Sequence, residues 1–258
     1  MRTVFTLMLL AVMASSLTAQ RTPFSKDDMI RAAYLASNPA QATKDPATGE
    51  VRGVVPDIVR ELERTRGVKV ALVGQPNPQR VIDAVRNGEA EIGFVAYNPE
   101  RAGPVEFTKP YLLVNQTFIV KSDSPIKSIA DIDRQGRKLG ATRADSIALY
   151  LRRTLKQGTL IELDDTSRDT IDRLLRDGAI DAYGSNRQRL TDWTKDAKGI
   201  RLLSDDLYGV EQAIIVPGGR RDALDAANQF IDEVRRSGFL KASVDRSGVV
   251  GITVAPER

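Results

Sequence analysis

The sequence predicts an α/β fold of two lobes, each a mainly parallel sheet flanked by helices, joined by two hinge crossings. Strand-like and helix-like segments alternate along the chain, which is typical of parallel α/β folds. Two extended segments, 111–121 and 208–217, enclose a second series of such segments. No repeat of about 20 to 50 residues divides the chain. We therefore expect a first lobe at 26–112 and 212–258, with a second lobe at 113–211 inserted into it.

The first series of elements follows from hydrophobic periodicity. The helix predicted at 54–66 has apolar residues at the i, i+3, i+4, i+7 spacing of one buried face, and Gly67 follows it as a helix-ending glycine. These apolar residues are Val55, Ile58, Val59 and Leu62. The other predicted elements are strands at 30–35, 68–73 and 91–96 and a helix at 79–86.

The second series lies between the two extended segments. Its predicted elements are strands at 138–142, 159–163 and 179–184 and helices at 146–156 and 170–176. After the second crossing, a helix at 221–236 has a single apolar face. We expect this helix to pack against the first lobe.

The amino terminus has the pattern of an export signal at 1–19. Arg2 precedes an apolar run at 4–14, and small residues end at Ala19. Cleavage after Ala19 is preferred, and cleavage after Ser16 is the alternative. The apolar run is too short to cross a bilayer of about 30 Å as a helix. Because the sequence has no cysteine, we expect a periplasmic protein without a lipid anchor.

Composition excludes several classes of function. Without histidine or cysteine, the chain cannot form a Ser-His-Asp or Cys-His nucleophile system or a zinc site of the usual ligands. The net charge is +4, but its charges are interspersed, whereas phosphate binding favours clustered Lys and Arg. We therefore expect no cofactor, no metal and no nucleic-acid partner.

Three stretches then point to a known family. They are Gly-Val-Val-Pro-Asp-Ile at 53–58; Glu-Ile-Gly-Phe at 91–94 with Asn-Pro-Glu-Arg at 98–101 and Val-Glu-Phe-Thr-Lys-Pro-Tyr at 105–111; and Asp-Gly-Ala-Ile-Asp-Ala-Tyr at 177–183. Their order and spacing resemble the family 3 extracellular solute-binding proteins, the polar-amino-acid receptors of bacterial ABC importers.

The resemblance covers roughly residues 28 to 245. It implies the type II periplasmic binding protein fold, whose two lobes close on a solute. It also implies a small carboxylate-bearing solute, an amino acid or a related organic acid, and a membrane ABC permease as partner. A monomer is expected.

Arg101 is the first candidate for ligand binding. A guanidinium is a fixed fork that can hold a carboxylate through two parallel hydrogen bonds. From spacing alone, pairing with Glu100 or Glu106 at the surface is the competing interpretation. The resemblance implies that Arg101 binds the carboxylate of the ligand.

Three positions depart from the family pattern. Ala96 replaces a Thr or Ser that helps to bind the carboxylate, Ser37 replaces an aromatic cover, and Asn186 replaces the aspartate that holds the ligand's ammonium. An amide brings no negative charge. Either the ligand has no α-ammonium, as in a keto acid or a dicarboxylate, or another group such as Asp145 holds it. An N-cap is the simpler interpretation of Asp145, because a helix is predicted to begin at Ser146.

The remaining candidates come from the end of the first predicted strand, where α/β clefts collect ligand contacts, from the third strand and the residues after it, from the second-lobe positions at which the resemblance implies ligand contacts, such as Thr142 and Ser146, and from the return crossing, which carries Gln212. They are Tyr34, Asn38, Phe94, Tyr97, Thr142, Ser146, Ser185 and Gln212. Phe94 is as compatible with a core position, and Gln212 with an ordinary solvent-facing strand position. Trp193 is interpreted as a packing anchor of a surface helix in preference to a ligand contact.

Two other functions remain open. An enzyme on the same fold, such as a dehydratase, would need a carboxylate with a raised pKa directed into the cleft. A sensory receptor would present the same bound solute to a membrane kinase. Binding for import is the preferred function, and we expect the chain not to be an enzyme.

Overall fold

The computed structural model describes residues 23–24, 29–36, 38–143, 145–165 and 167–257. The strands are β1 (Met29–Leu35), β2 (Thr43–Lys44), β3 (Val51–Arg52), β4 (Lys69–Gln75), β5 (Ile92–Ala96), β6 (Val105–Lys121), β7 (Lys138–Thr142), β8 (Thr159–Leu163), β9 (Ala182–Asn186), β10 (Ile200–Leu202), β11 (Tyr208–Pro217) and β12 (Ile252–Val254). The helices are α1 (Val54–Arg66), α2 (Pro78–Arg86), α3 (Ser146–Thr154), α4 (Arg168–Arg176), α5 (Arg187–Thr194), α6 (Arg221–Arg236) and α7 (Phe239–Ser247).

The first lobe is built on three parallel strands, in which β1 lies between β4 and β5. Helix α1 covers this sheet through the predicted apolar face, since Val55, Ile58 and Leu62 are buried. Gly67 ends the helix in the left-handed conformation, with φ 65°, which costs glycine little. Helix α6 buries its apolar residues in the same core, as predicted.

The second lobe repeats this arrangement with β7 between β8 and β9, all parallel. Helix α3 packs Ile147 and Leu151 into one core cluster. Helix α4 places Ile171 and Leu175 in another. Because the clusters of this lobe are distinct from those around α1 and α2, each lobe has its own hydrophobic core.

Strands β6 and β11 join the two lobes. They pair antiparallel from Tyr208 opposite Gln116 to Pro217 opposite Val105. On the first-lobe side β11 also pairs with β5, and on the second-lobe side β6 pairs with β9. The result is one sheet in the order β4-β1-β5-β11-β6-β9-β7-β8, so the hinge crossings are themselves strands.

The predicted fold class is confirmed, and most differences concern element ends. Strand β6 begins at Val105, earlier than predicted, because its first residues pair with the end of β11. The strand predicted at 179–184 is found at Ala182–Asn186. Elements α7, β2, β3, β10 and β12 were not predicted, since they are short and lack a clear period. Helix α5 is the surface helix that the sequence suggested around Trp193. The predicted lobe boundaries fall inside β6 and β11.

The predicted export signal at 1–19 lies outside the described residues. None of the helices in the described part of the chain has the length and apolar character that crossing a bilayer requires.

Gly184 in β9 is predicted to be intolerant of a side chain. A Cβ there would lie 2.5 Å from Ile147 Cδ1 and 2.8 Å from Phe118 Cε1. Overpacking a core of this kind costs about 1–3 kcal/mol, so we expect Gly184→Ala to lower the melting temperature by roughly 2–10 °C. Gly158→Ala is the control, because its Cβ would make only ordinary contacts of 3.5 Å or more. Equal melting temperatures for the two variants in calorimetry would contradict this account.

Candidate functional site

A cavity of about 510 Å³ lies between the lobes, within the size range of small-molecule sites. Its lining comes from the carboxyl ends of parallel strands in both lobes and from the hinge strands. The lining residues are Leu35, Asn38, Pro39, Gln41, Pro78, Val95, Ala96, Arg101, Val114, Gln116, Asp145, Ser146, Asn186, Gln188, Arg189, Asp192, Trp193, Val210 and Gln212.

Arg101 reaches the cavity from the first lobe. It ends a short 3-10 turn, Pro99–Arg101, after β5. Its backbone N–H donates to the Asn98 carbonyl at 3.0 Å, and its Nη1 donates to the Ala96 carbonyl at 3.5 Å. The turn therefore holds a half-buried guanidinium at the cavity wall.

Three buried amide side chains form part of the cavity wall at the hinge. Gln41 Nε2 donates to Gln212 Oε1 at 3.1 Å, and Gln41 Oε1 accepts from the Leu35 backbone N–H at 3.2 Å. Gln116 Nε2 donates to the Val114 carbonyl at 3.2 Å. Gln116 and Gln212 lie on β6 and β11. Buried amides must be hydrogen-bonded to avoid a desolvation cost, so these contacts fix the polar groups that a solute meets.

Asp145 lies on the second-lobe side, at the start of α3. Its Oδ1 accepts from the Ser146 backbone N–H at 2.7 Å, so it is the N-cap that the sequence suggested. Its side chain also lines the cavity. Burial raises the pKa of this carboxyl, against the lowering effects of the Ser146 N–H and of the positive charges of Arg189 and Arg101. Both arginines therefore act electrostatically on Asp145.

Asn186 has a structural function as well as a position in the cavity. Its Oδ1 accepts from the Arg189 backbone N–H at 2.8 Å and caps α5. The carbonyl end of the amide is thereby engaged, and the amide's remaining hydrogen-bonding groups are the Nδ2 donors.

Arg189 and Trp193 form a stacked pair on α5. The guanidinium carbon of Arg189 lies 4.5 Å from the Trp193 ring centroid. Trp193 also stacks on Tyr183, with centroids 5.8 Å apart and an angle of 11° between rings. Tyr183 is fully buried, so the stack anchors Arg189 to the core of the second lobe.

The structure brings seven of the predicted site residues to this cavity. They are Asn38, Ala96, Arg101, Asp145, Ser146, Asn186 and Gln212. Gln212 is buried, in contrast to the solvent-facing alternative. Their contacts with a ligand remain a prediction.

Other predicted residues lie elsewhere. Tyr34, Phe94 and Ser185 are buried, and Phe94 packs edge-on against the Tyr111 ring in the core, with centroids 5.8 Å apart. The Thr142 hydroxyl lies 2.9 Å from that of Tyr183, within hydrogen-bond distance. None of these four side chains is in the lining. Phe94 and Ser185 lie within the first four residues of β5 and β9, all of which are buried.

The last two predicted site residues are Tyr97 and Ser37. Tyr97 is 45% exposed and lines a second cavity of about 380 Å³ with Tyr208 and Arg153. Tyr208 stacks on Tyr150, with centroids 4.1 Å apart. Ser37 lies outside the described residues.

Sequence reasoning missed several lining residues. Gln41 lies in a loop, Gln116 on the hinge strand and Arg189 on α5, the surface helix around Trp193. The available signal for Gln116 was the polar stretch 115–117 between the apolar residues of the predicted crossing at 111–121. The interpretation of Trp193 was incomplete, since this residue packs on Tyr183 but also lines the cavity.

The described residues contain no group of three or more acidic, histidine or cysteine side chains that could hold a metal ion. The cavity's polar groups are amides, two arginines, two aspartates and a serine. This set offers hydrogen bonds and charges to an organic solute.

Two lobes with separate cores, two hinge strands and a polar cavity between the lobes form the arrangement of a two-lobed binding protein. The family of bacterial extracellular solute-binding proteins, family 3, matches residues 30–247. The chain belongs to this family, as its motifs indicated.

Individual relatives are distant. A glutamine-binding protein of Geobacillus stearothermophilus is 25% identical over 184 residues, which span 66% of this chain and 67% of that protein. A glutamine-binding ABC transporter protein of Bacillus subtilis is 22% identical, and the match spans 65% of this chain and 63% of that protein. An ancestral arginine-binding protein, solved with glutamine bound, superposes with a TM-score of 0.65 at 20% identity, covering 87% of this chain and 99% of the other. The structural likeness concerns the fold.

Neutralising Asp145 is predicted to stabilise the ligand-free protein. Its pKa in the folded state is raised above 3.8, so its ionisation disfavours folding once the pH exceeds that value. We expect Asp145→Asn, which keeps a capping oxygen, to melt at a higher temperature than the parent at pH 7. The difference should shrink as the pH falls towards 3.8. Calorimetry between pH 7 and pH 4 measures it, and a lower melting temperature at pH 7 would contradict the assignment.

Proposed function

We propose that this protein captures a small carboxylate-bearing solute, an amino acid or a related organic acid, and delivers it to a membrane ABC permease. The observation that carries the proposal is the position of Arg101 in a cavity shared by both lobes. Membership of the solute-binding family and the names of the glutamine-binding relatives support it.

The mechanism follows from the hinge. A solute first meets the first lobe, where the Arg101 fork can bind a carboxylate through two N–H donors. Rotation of the second lobe about β6 and β11 then brings Ser146 and Asn186 onto the solute. Closure excludes water, which strengthens the ion pair between Arg101 and the carboxylate. The closed form is the species that would dock on the permease.

The cellular setting is part of this proposal. We place the mature protein in the periplasm after cleavage of the signal at 1–19. Without cysteine in the sequence, the mature chain has no thiol for a lipid anchor at a signal-peptide cysteine. It is expected to act as a monomer with no cofactor.

Arg101→Ala tests the proposal in a thermal-shift screen against amino acids, keto acids and dicarboxylates. A solute at a hundred times its dissociation constant should stabilise the parent by about 2.7 kcal/mol, or roughly 5 to 10 °C. We expect Arg101→Ala to lose this shift because the carboxylate loses its charged partner.

Arg86→Ala is the matched control, since Arg86 pairs with Asp83 on α2 and does not line the cavity. It should keep the full shift. A shift that is equal in all three proteins would place the carboxylate elsewhere and contradict the function of Arg101.

An enzyme on the same fold is the second candidate, and Asp145 is the observation that favours it. This carboxyl lies in the cavity, and burial raises its pKa, as a general acid or base requires. We expect no turnover, because binding is the function of the family. NMR of a bound solute over hours checks this, and chemical conversion that Asp145→Asn abolishes would favour the enzyme.

A further inference from the structure

The edge of β6 that faces away from β11 carries two strands, one from each lobe. Strand β9 of the second lobe ends with Asn186 opposite Gln116, and strand β12 begins with Ile252 opposite Val114. The end of β9 and the start of β12 therefore meet beside position 115 of the hinge strand. The residues at this meeting point are Arg187, which follows β9, and Gly251, which precedes β12.

Gly251 packs directly against the side chain of Arg187. A Cβ atom at position 251 would lie 2.6 Å from Arg187 Cβ, 2.9 Å from Cγ and 3.1 Å from Cδ. The backbone of Gly251 has φ 79°, in the left-handed region that favours glycine. Any side chain at 251 therefore displaces Arg187 or the strand that Gly251 begins.

The segment that carries Gly251 is fixed to the first lobe. It follows α7, in which Leu240 is buried in the core cluster around α1. Ser243 Oγ and Arg246 Nη2 on α7 both donate to Asp57 Oδ2 on α1, at 2.7 Å and 2.8 Å. Gly251 is therefore expected to move with the first lobe.

Arg187 is fixed to the second lobe. It is the first residue of α5. Its Nε donates to Asp206 Oδ1, and its Nη2 donates to the Asp205 carbonyl at 2.7 Å. Helix α5 also carries Arg189, which lines the cavity. A displacement of Arg187 is thus transmitted to a helix that forms part of the cavity wall.

The contact lies on the face of β6 that is turned away from the cavity. Val114 and Gln116 line the cavity, and the side chain of Asn115 between them points to the opposite face. There Asn115 Nδ2 donates at 2.8 Å to Asp206, the carboxylate that also accepts from Arg187. When two lobes rotate about a hinge, groups behind the hinge approach each other as the cleft opens. Close packing behind β6 therefore resists opening.

We propose that the contact between Gly251 and Arg187 limits how far the lobes open and thereby sets the affinity for the solute. This inference rests on the proposed function and adds a control of closure to it. Gly251 and Arg187 are positioning residues, because neither lines the cavity and both act through the hinge. The apparent dissociation constant falls as the closed, binding-competent fraction of the ligand-free protein rises.

The distance between the lobes can be measured without any solute. The sequence has no cysteine, so spin labels attach only at Gln79→Cys and Asp169→Cys. These residues are exposed and lie in the first turns of α2 and α4, one in each lobe and outside the cavity lining. Double electron–electron resonance then gives the distribution of distances between them. Because this measurement needs no ligand, it tests the inference separately from the proposed function.

Gly251→Ala should shorten the mean distance, since the added methyl group acts as a wedge behind the hinge. Isothermal titration calorimetry with L-glutamine as the probe should show binding at least about threefold tighter than in the parent. Arg187→Ala removes the side-chain atoms beyond Cβ from the same contact. It should lengthen the mean distance and weaken binding.

Gly248→Ala is the matched control. Gly248 lies three residues before Gly251 and also has a left-handed backbone, with φ 62°, but a Cβ there would have no neighbour within 4 Å. Both glycine variants should therefore lose stability through backbone strain. Only Gly251→Ala should change the distance between the lobes.

The inference is wrong if Gly251→Ala and Gly248→Ala give the same distance distribution. It is also wrong if Arg187→Ala shortens the distance, a result that remains decisive should Gly251→Ala fail to fold. If the distances follow the expected order and no acid binds the parent, the proposed function fails and the inference about the hinge contact holds.

Discussion

The antiparallel pairing of β6 with β11 is the constraint on which the rest of the structure depends. Strand β6 pairs with β11 on one side and with β9 on the other, so that Gln116 lies opposite both Tyr208 and Asn186. Because both pairings involve β6, this strand connects the sheets of the two lobes. The register of the β6–β11 pair shifts between Gln212 and Ala213, next to the cavity. The hinge strands thus connect the lobes and also supply two of the amides in the cavity wall.

The cavity keeps charged groups partly away from water, and this arrangement has a cost for stability. Burial raises the pKa of Asp145 even though two arginines act on it, which means that the ligand-free fold disfavours its ionised form. Functional sites commonly hold such unfavourable groups where the surrounding structure determines their position. Here α3 determines it, because the Asp145 carboxylate accepts from the first N–H group of that helix. The same residue can cap a helix and meet a solute.

Residues at the carboxyl ends of parallel strands were accessible to sequence reasoning. Arg101 follows β5, Asp145 follows β7 and Asn186 ends β9, and strand ends of this kind converge at one edge of a sheet. The family motifs indicated which positions near these strand ends correspond to ligand-binding positions of the family. Residues such as Gln41 and Trp193 were less accessible, because a loop and a short helix of weak periodicity carry them. Phe94 shows the opposite error of choosing a residue by its position near the strand end, since β5 is buried on both faces and its ring packs against Tyr111 in the core.

The amino-acid sequence by itself determined the order of the elements, the apolar face of each long helix, the absence of histidine and cysteine chemistry, and the family. These properties depend on periodicity and on local motifs, which short stretches of chain encode. Only the tertiary structure decided that Arg101, Asp145 and Arg189 act on one another in a single cavity, and that Trp193 supports Arg189 there. The interactions of Arg101 and Arg189 with Asp145 join residues that are far apart in the chain, and they exist only because the hinge strands and the packing of α3 and α5 place the two lobes around one cavity.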